Sequence, residues 1–386
     1  MKILIFTGYY LPRVGGSINH IHQIAKRLVL SGYEVDLVTF NSEKIDEWEI
    51  IDGIQIFRLP SLRIFENYEL LAPNRRSFAM LKKIFNRKYD IVLNYTRFHL
   101  TSLLALTYCK IKHIPYIHTE LGSSHSILAD KLMEFISHVY DHTLGYLVIT
   151  NADQLIVNCS AGGRFLQHIG GTPNKINILV SGINKDIFLK PVNCKKRLKN
   201  EDRKYIITII SRLIYAKGIQ DAIIAFGNVQ KKYPDNQLLI IGDGSYQNQL
   251  KTLIIENQIN NVYLLGFLEQ EKIAQILSIT DILINPSYSE SLISSSVLEG
   301  GILGVPSIST DVGGTCEVIT DGINGLLFKP GNIDQLSEQI ELLLNDDDLH
   351  GILAKNIKRF MEDYGDWDIV AQKHIELIDK VAGVPK

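Results

Sequence analysis

Between Pro286 and Pro306 the chain reads PSYSESLISSSVLEGGILGVP, placing Glu290, a run of serines and Glu299 in one short passage. Ile282–Asn285 is an apolar run of strand length, and Pro286–Ser291 has turn composition. Ser294, Ser295 or Ser296 is placed to cap a helix running to about Leu303. A helix that starts where a parallel strand ends aims its unpaired N–H groups and positive dipole end into the crevice above the sheet. Such an end suits a phosphate. Glu299 falls about one turn inside that helix, within reach of a sugar hydroxyl. An ordinary strand–helix unit with a solvated glutamate fits the same passage.

Three other stretches bear on an anionic ligand. Gly15-Gly16 stands between the first apolar run and the first helical pattern, where glycine lets backbone N–H groups approach an anion closely. Arg212 and Lys217 follow the apolar run Ile206–Ile210, and two cations at one strand end suit a diphosphate leaving group. A pair of surface charges is the plainer reading of the same residues. Gly242-Asp243-Gly244 follows another apolar run and reads either as part of the same site or merely as a tight turn.

These residues need a frame, and the pattern supplies an α/β one. Strands are expected at Ile3–Thr7, Glu34–Phe40, Gln55–Leu59, Asp90–Asn94, Tyr116–His118, Gln154–Val157 and Ile176–Leu179, with helical segments between most of them. Ser17 is expected to cap the first helix, which ends at Gly32. Lys185–Lys204, with Pro191 and many cations, reads as a linker. Alternation restarts with strands at Tyr205–Ile210, Leu238–Ile241, Val262–Leu265, Ile282–Asn285, Ser307–Ser309 and Leu326–Phe328, and a helix over Gly218–Tyr233. Such alternation implies parallel sheets covered on both faces. A length of 386 residues suggests two domains. They are read as 1–185 and 186–365, with a helix in 366–386 packing back onto the first.

Several function classes fall away. The first turn is GYYLPRVGGS rather than GxGxxG, and Val38-Thr39-Phe40 ends the second strand without an acid, which argues against a dinucleotide site. The P-loop pattern GxxxxGK[ST] is absent. A net charge of -2 argues against nucleic acid as a partner. Cysteines 109, 159, 194 and 316 are too scattered for a metal knot or a disulfide framework and read as buried thiols in a reducing cytoplasm. The opening apolar run is too short for a secretory core segment, and no apolar run reaches the roughly 20 residues of a membrane span. The expectation is a cytoplasmic protein, or one peripheral on the inner face of a membrane.

The ordered series GGS, SRLIYAKG, LLIIGDGSY, VYLLGFL, DILINPSYSE and LEGGILGVPSISTDVGGTCEVITDGINGLLFKPG resembles the family-4 glycosyltransferases of the GT-B fold. The resemblance covers nearly the whole chain, most strongly Tyr205–Gly331. It implies two Rossmann-like doubly wound domains facing a central cleft. It also implies a retaining transferase that moves a sugar from a nucleoside-diphosphate donor, with no cofactor and no required metal. Carried over residue by residue, Gly15, Gly16, Arg212 and Lys217 would hold the diphosphate, Glu299 the donor ribose and Glu290 the donor sugar. Gly266, Phe267 and Leu268 would lie by the base, and Ser291, Leu292, Ile293 and Ser294 complete the donor-binding set. Arg212, Lys217 and Glu290 are then the catalytic residues. A UDP-sugar is the commoner donor in the family, with a GDP-sugar the alternative.

The chain departs from the family in three places. The family sets seven residues between its two glutamates; counting back from Glu299 reaches Ser291, and Glu290 stands one residue further off. A one-residue bulge would bring Glu290 into place, which is the expectation, with Ser291 as the alternative. Leu121 stands where the family often carries a histidine, leaving His118, Glu120 and His125 as nearby polar candidates for sugar or acceptor contacts. Ser181-Gly182 replaces Asn-Gly near the hinge. Because the resemblance implies that the departing phosphate takes the acceptor proton, Leu121 points to a different sugar or a relocated donor group rather than to lost activity. A catalytically silent nucleotide-sugar-binding subunit is the alternative function.

Arg75, Arg76, Lys82, Lys83, Arg87 and Lys88 share a helical stretch with Phe78, Met80, Leu81, Ile84 and Phe85. That pattern fits a basic amphipathic face on an anionic membrane, and equally a core-facing helix with a solvated basic side. The membrane reading would make the acceptor a lipid-linked saccharide in surface polysaccharide or glycoconjugate assembly.

Overall fold

Parallel strands buried on both faces read as short unbroken apolar runs, and the sheets form where those runs lie. A computed structural model of the protein describes residues 1–13, 15–65, 68–125, 131–190, 205–290 and 293–384. Its described residues divide into two compact units. One holds the chain up to Gly182 together with Trp367 onward; the other runs from Ile183 to Asp366.

The first unit contains β1 (Lys2–Phe6), β2 (Glu34–Phe40), β3 (Trp48–Ile51), β4 (Ile54–Leu59), β5 (Ser61–Phe65) and β6 (Tyr68–Leu71). It continues with β7 (Ile91–Tyr95), β8 (Tyr116–Glu120), β9 (Gln154–Val157) and β10 (Ile176–Ile178). Its main sheet has the order β10-β9-β8-β7-β1-β2-β4-β3, parallel except for β3. Strands β5 and β6 form a separate antiparallel hairpin. The helices are α1 (Gly16–Leu30), α2 (Arg75–Phe85), α3 (Leu100–Lys112), α4 (Lys131–Tyr140), α5 (Tyr146–Thr150) and α6 (Ser160–His168). A π-helical turn, Asp141–Gly145, joins α4 to α5. Leu4, Phe6, Val38, Phe57, Val92, Tyr108 and Leu155 lie in the core of this unit.

The second unit contains β11 (Ile206–Ile210), β12 (Gln237–Ile241), β13 (Val262–Gly266), β14 (Ile282–Asn285), β15 (Ser307–Thr310) and β16 (Leu326–Phe328). The sheet is wholly parallel, in the order β13-β12-β11-β14-β15-β16. That is the Rossmann order, with the direction of winding reversing between β11 and β14. Its helices are α7 (Lys185–Leu189), α8 (Ile219–Gln230), α9 (Gln247–Glu256), α10 (Gln270–Leu277), α11 (Ser295–Leu303), α12 (Ile333–Asn345) and α13 (Asp347–Asp363). Ile207, Ile209, Phe226, Ile240, Ile282 and Ile308 are fully buried between the layers.

The last helix, α14 (Trp367–Ala382), packs against α1 in the first unit. Arg27 pairs with Asp368 at 2.5 Å, and the Tyr33 hydroxyl donates to Asp379 at 2.7 Å. Trp367 and His374 close over His20, which burial drives down to a pKa of about 3, helped by His374. His20 is therefore a neutral core residue, bonded to Ser181 at 3.1 Å. Gly182 lies so close to Trp367 that a Cβ would stand 2.7 Å from the tryptophan Cα.

Several expectations change. Ser17 lies inside α1, whose N-cap is Gly15 with no side-chain cap bond. Lys185–Leu189, read as linker, is helix α7; its Phe188 is buried, and residues 191–204 lie outside the described residues. Cys109 and Cys159 are buried, but Cys316 is exposed, and Cys194 lies outside the described residues. No described helix is long and apolar enough to cross a membrane.

Candidate active site

The winding of the sheet reverses between β11 and β14, and a doubly wound sheet binds its ligands at the carboxyl strand ends beside such a reversal. Arg212 and Lys217 leave β11, and Glu290 follows β14. The two loops touch backbone to backbone. Gly218, at φ +61, stands where a Cβ would lie 2.0 Å from the Pro286 carbonyl oxygen, and Tyr288 N–H donates to the Ala216 carbonyl at 2.9 Å. Only glycine combines that backbone angle with that approach.

This approach brings Lys217 to Glu290, with Nζ 2.7 Å from Oε2. The other carboxylate oxygen accepts from the Ser287 hydroxyl at 2.6 Å, and the Ser287 carbonyl accepts from Thr310 Oγ1 at 2.7 Å. The pair is largely shielded: the Lys217 side chain is 17% exposed and that of Glu290 7%. Arg212 differs. Its side chain is exposed and has no hydrogen-bond or ion-pair partner among the described residues.

Glu299 sits within α11 and is buried, with no hydrogen-bond or ion-pair partner among the described residues. Burial pushes its carboxyl up to about 8. A carboxyl in this setting can accept a hydrogen bond from a hydroxyl that a ligand brings. Ser294 occupies the N-cap of α11, but its hydroxyl bonds Ser296 Oγ at 2.9 Å rather than a backbone N–H, so the expected serine cap is not made. Ile293 is buried, and Ser291 and Leu292 lie outside the described residues.

Gly266 closes β13, at the sheet edge, and a Cβ there would meet no atom within 4 Å. Phe267, next to it, is 51% exposed, an aromatic face open to solvent; Leu268 is half-buried. The Gly242 turn has a packing role. A Cβ at Gly242 would stand 1.8 Å from the Ser211 carbonyl oxygen, and Leu213 N–H donates to the Asp243 carbonyl at 2.9 Å. The turn thereby supports the loop that carries Arg212.

In the first unit, Gly15 has an extended φ of 168, and Gly16 opens α1. A Cβ at Gly15 would meet nothing within 4 Å, so neither conformation nor packing within the protein requires glycine there. The space at this helix start is open.

His118 and Glu120 are brought together with a residue that the sequence reading passed over, Arg97. Its guanidinium makes two bonds of 2.8 Å to Asp141 and lies 3.0 Å from Glu120 Oε1. Glu120 also accepts from the Gly122 N–H at 2.9 Å and meets His118 Nε2 at 3.3 Å. Burial alone would raise the Glu120 carboxyl, but Arg97 and His118 outweigh it and hold it at about 2. Both His118 and Glu120 are sealed from solvent and already partnered, so a sugar would have to displace Arg97 to reach them. Leu121 is buried too. The one sequence signal for Arg97 was its place just past an apolar strand, the place Arg212 occupies in the other unit.

Comparison with known proteins bears on the family and the fold. The family described as glycosyltransferase family 4 matches residues 14–187, and that described as glycosyl transferases group 1 matches residues 192–360. An uncharacterized glycosyltransferase of Methanocaldococcus jannaschii is 27% identical over 99% of each chain. The N,N'-diacetylbacillosaminyl-diphospho-undecaprenol alpha-1,3-N-acetylgalactosaminyltransferase of Campylobacter jejuni is 27% identical over 81% of this chain and 85% of its own. Among solved structures, the Anabaena protein HepE in complex with UDP and glucose superimposes with a TM-score of 0.77 at 17% identity, covering 98% of this chain and all of its own. With one Rossmann-type sheet in each unit and charged side chains in the loops at the β11–β14 reversal, the chain belongs to the family-4 glycosyltransferases of the GT-B fold.

Proposed function

We propose that this glycosyltransferase is a retaining enzyme that takes its sugar from a UDP-sugar and adds it to a lipid-linked saccharide. One observation carries the reading. The Arg212 guanidinium and the buried Glu299 carboxyl, both without a partner among the described residues, and the Lys217–Glu290 pair follow the carboxyl ends of β11 and β14. Cations answer a diphosphate, and a shielded acid answers sugar hydroxyls. Phe267 and the open space at Gly266 offer a platform for a base. UDP bound to the Anabaena structure supports uridine as that base.

The chemistry needs no protein base. As the bond from C1 of the sugar to the β-phosphate oxygen breaks, the acceptor oxygen bonds C1 on the same face. The acceptor proton passes to the departing phosphate oxygen. Arg212 and Lys217 neutralise the charge growing on that phosphate, and Lys217 is held in place by Glu290 before the reaction begins. Gly15 and Gly16, at the start of α1 in the first unit, offer backbone N–H groups to an anion.

A membrane-bound acceptor fits two exposed features of the first unit. On α2, Arg75, Arg76, Lys82 and Lys83 are exposed beside Phe78, which is 61% exposed, and Lys88 is exposed just after the helix. Met80, Leu81, Ile84 and Phe85 instead face the core, and Arg87 pairs with buried Asp36 at 2.6 Å, so these belong to the fold. On α4, Leu132, Phe135, Ile136 and Val139 are exposed. The Campylobacter relative, named for an undecaprenol-linked acceptor, supports the same class.

The test is a thermal-shift screen against UDP, GDP and their sugars, followed by a transfer assay with the stabilising donor. A ligand that binds the native state raises its melting temperature by mass action. UDP and one UDP-sugar should do so. A shift with GDP alone would overturn the choice of base, and an inverted anomer in the product would overturn the retaining assignment.

A further inference from the structure

The first unit gathers three histidines that the transfer reaction does not use. His125 comes from the loop after β8, His142 from the π-helical turn and His168 from the end of α6, and their ligating nitrogens all lie within 4.8 Å of one another. We propose that His125, His142 and His168 form a binding site for a divalent transition-metal ion of the zinc or nickel class. The ion would clip the loop after β8 to the two helical segments.

The chemistry of the three groups favours such an ion over calcium or magnesium. Imidazole nitrogens suit zinc, copper and nickel, whereas the alkaline-earth cations seek oxygen. His125 also has the support that metal-binding histidines usually have. Its Nδ1 lies 2.6 Å from Asp141 Oδ2, and Asp141 is held in turn by the two bonds from Arg97. A carboxylate behind one ring nitrogen fixes the ring and its tautomer and leaves Nε2 as the ligating atom. Phe165 meets the His125 ring edge-on at 5.0 Å, and His138 stacks on it at 3.8 Å, so its plane is fixed on both sides.

His142 and His168 are exposed, and their rings can turn toward a common point. A tetrahedral zinc with bonds of about 2.0–2.1 Å needs nitrogens roughly 3.4 Å apart, so the rings close by a modest rotation. Their centroids already lie 5.6 Å from each other, and that of His125 lies 5.6 Å and 5.9 Å from those of His142 and His168. His168 ends α6, where the negative end of the helix dipole favours a cation. Three protein ligands leave a fourth position for water. Since the loop runs on from Glu120, the ion would steady the segment from Leu121 to His125.

The experiment uses the full chain without a histidine tag and with Cys316→Ser, which removes the exposed thiol as a competing ligand. After treatment with chelator, zinc uptake is measured by calorimetry and by metal analysis of the dialysed protein. One equivalent should bind with micromolar or tighter affinity. His142→Ala and His168→Ala should each weaken binding tenfold or more, and each should abolish the rise in melting temperature that zinc produces. Both side chains are exposed, so the variants should fold. Failure of the parent protein to take up one equivalent would overturn the site. Equal affinity in the double variant His142→Ala/His168→Ala would do the same.

Discussion

Lys217 and Glu290 lie 73 residues apart in sequence, yet the lysine ammonium donates to the glutamate carboxylate at 2.7 Å. The acid expected to touch the donor sugar is thus also the group that orients the lysine expected to hold the diphosphate. Two roles read separately from sequence share one hydrogen bond. A partly shielded pair of this kind fixes the ammonium before a ligand arrives, which is what charge stabilisation in catalysis requires.

Removing the cations tests the diphosphate assignment. Arg212→Ala and Lys217→Ala should each lower kcat on the order of 10²-fold by removing charge stabilisation at the leaving group. The fold should survive in both. Lys217→Ala should also cost about 1–3 kcal/mol of stability because it removes the counter-charge of the shielded Glu290 carboxylate. Steady-state kinetics and thermal melts measure the two effects. Near wild-type turnover in both variants would remove this crevice from the reaction.

Glu290→Gln keeps the size of the side chain but loses the charge that holds Lys217. Binding of the free nucleoside diphosphate should weaken because its lysine is no longer fixed, and binding of the sugar-bearing donor should weaken further. Calorimetry with both ligands separates the effects. Equal losses would mean that Glu290 acts through Lys217 alone and leaves the sugar to other residues.

Glu299 makes a pH-dependent prediction. Its carboxyl is raised by burial from an ordinary 4.5 to about 8. Between those values the folded state keeps a proton that the unfolded chain has lost. The stability from this residue is therefore fully present below its unfolded pKa and is lost as pH rises through about 8. Glu299→Gln should flatten that part of the stability profile in urea titrations. If the ionised form accepts ribose hydroxyls, affinity for the nucleotide should rise between pH 7 and 8, by up to about tenfold per unit. A rise of the same size in the Gln variant would place the titrating group elsewhere.

Arg97 is the cation between two buried acids. Arg97→Ala should destabilise the protein by about 3–5 kcal/mol, since it leaves buried charge uncompensated. Part of that loss should be recovered at acidic pH, where Glu120 can protonate. In the wild type the sign is reversed. Glu120 is held down at about 2, so its contribution is present above its ordinary 4.5 and is lost as pH falls toward 2. Urea denaturation from pH 3 to 8 would show both slopes, and an unchanged midpoint in Arg97→Ala would contradict the network.

For membrane contact, Arg76, Lys82, Lys83 and Lys88 should be replaced with Gln, leaving Arg87 to its pair with Asp36. Each cation near an anionic surface contributes about 1 kcal/mol, so sedimentation with acidic vesicles should fall sharply. Added salt should act in the same direction by screening. If the parent protein never sediments with acidic vesicles at low salt, α2 is not an anchor.

The sequence by itself determined the sheets and the residues of the crevice. Strands such as Gln154–Val157, Ile282–Asn285 and Leu326–Phe328 were legible to the residue, because a parallel strand covered on both faces must be apolar throughout. Arg212, Lys217 and Glu290 were legible because each follows such a strand, where a doubly wound sheet places its ligands. Strand β3 and the β5–β6 hairpin were not. Trp48 and Ile50 are exposed, and a short half-exposed strand carries little periodic signal. Tertiary structure alone decided which charges meet. The reversal at β11 and β14 sets Lys217 on Glu290, neighbouring strand ends join Arg97 to Glu120 while the π-helical turn brings Asp141 to it, and three separate segments bring His125, His142 and His168 together. Such pairings depend on strand order and loop approach, which local sequence does not encode, whereas burial acts on every residue and leaves its mark in the pattern.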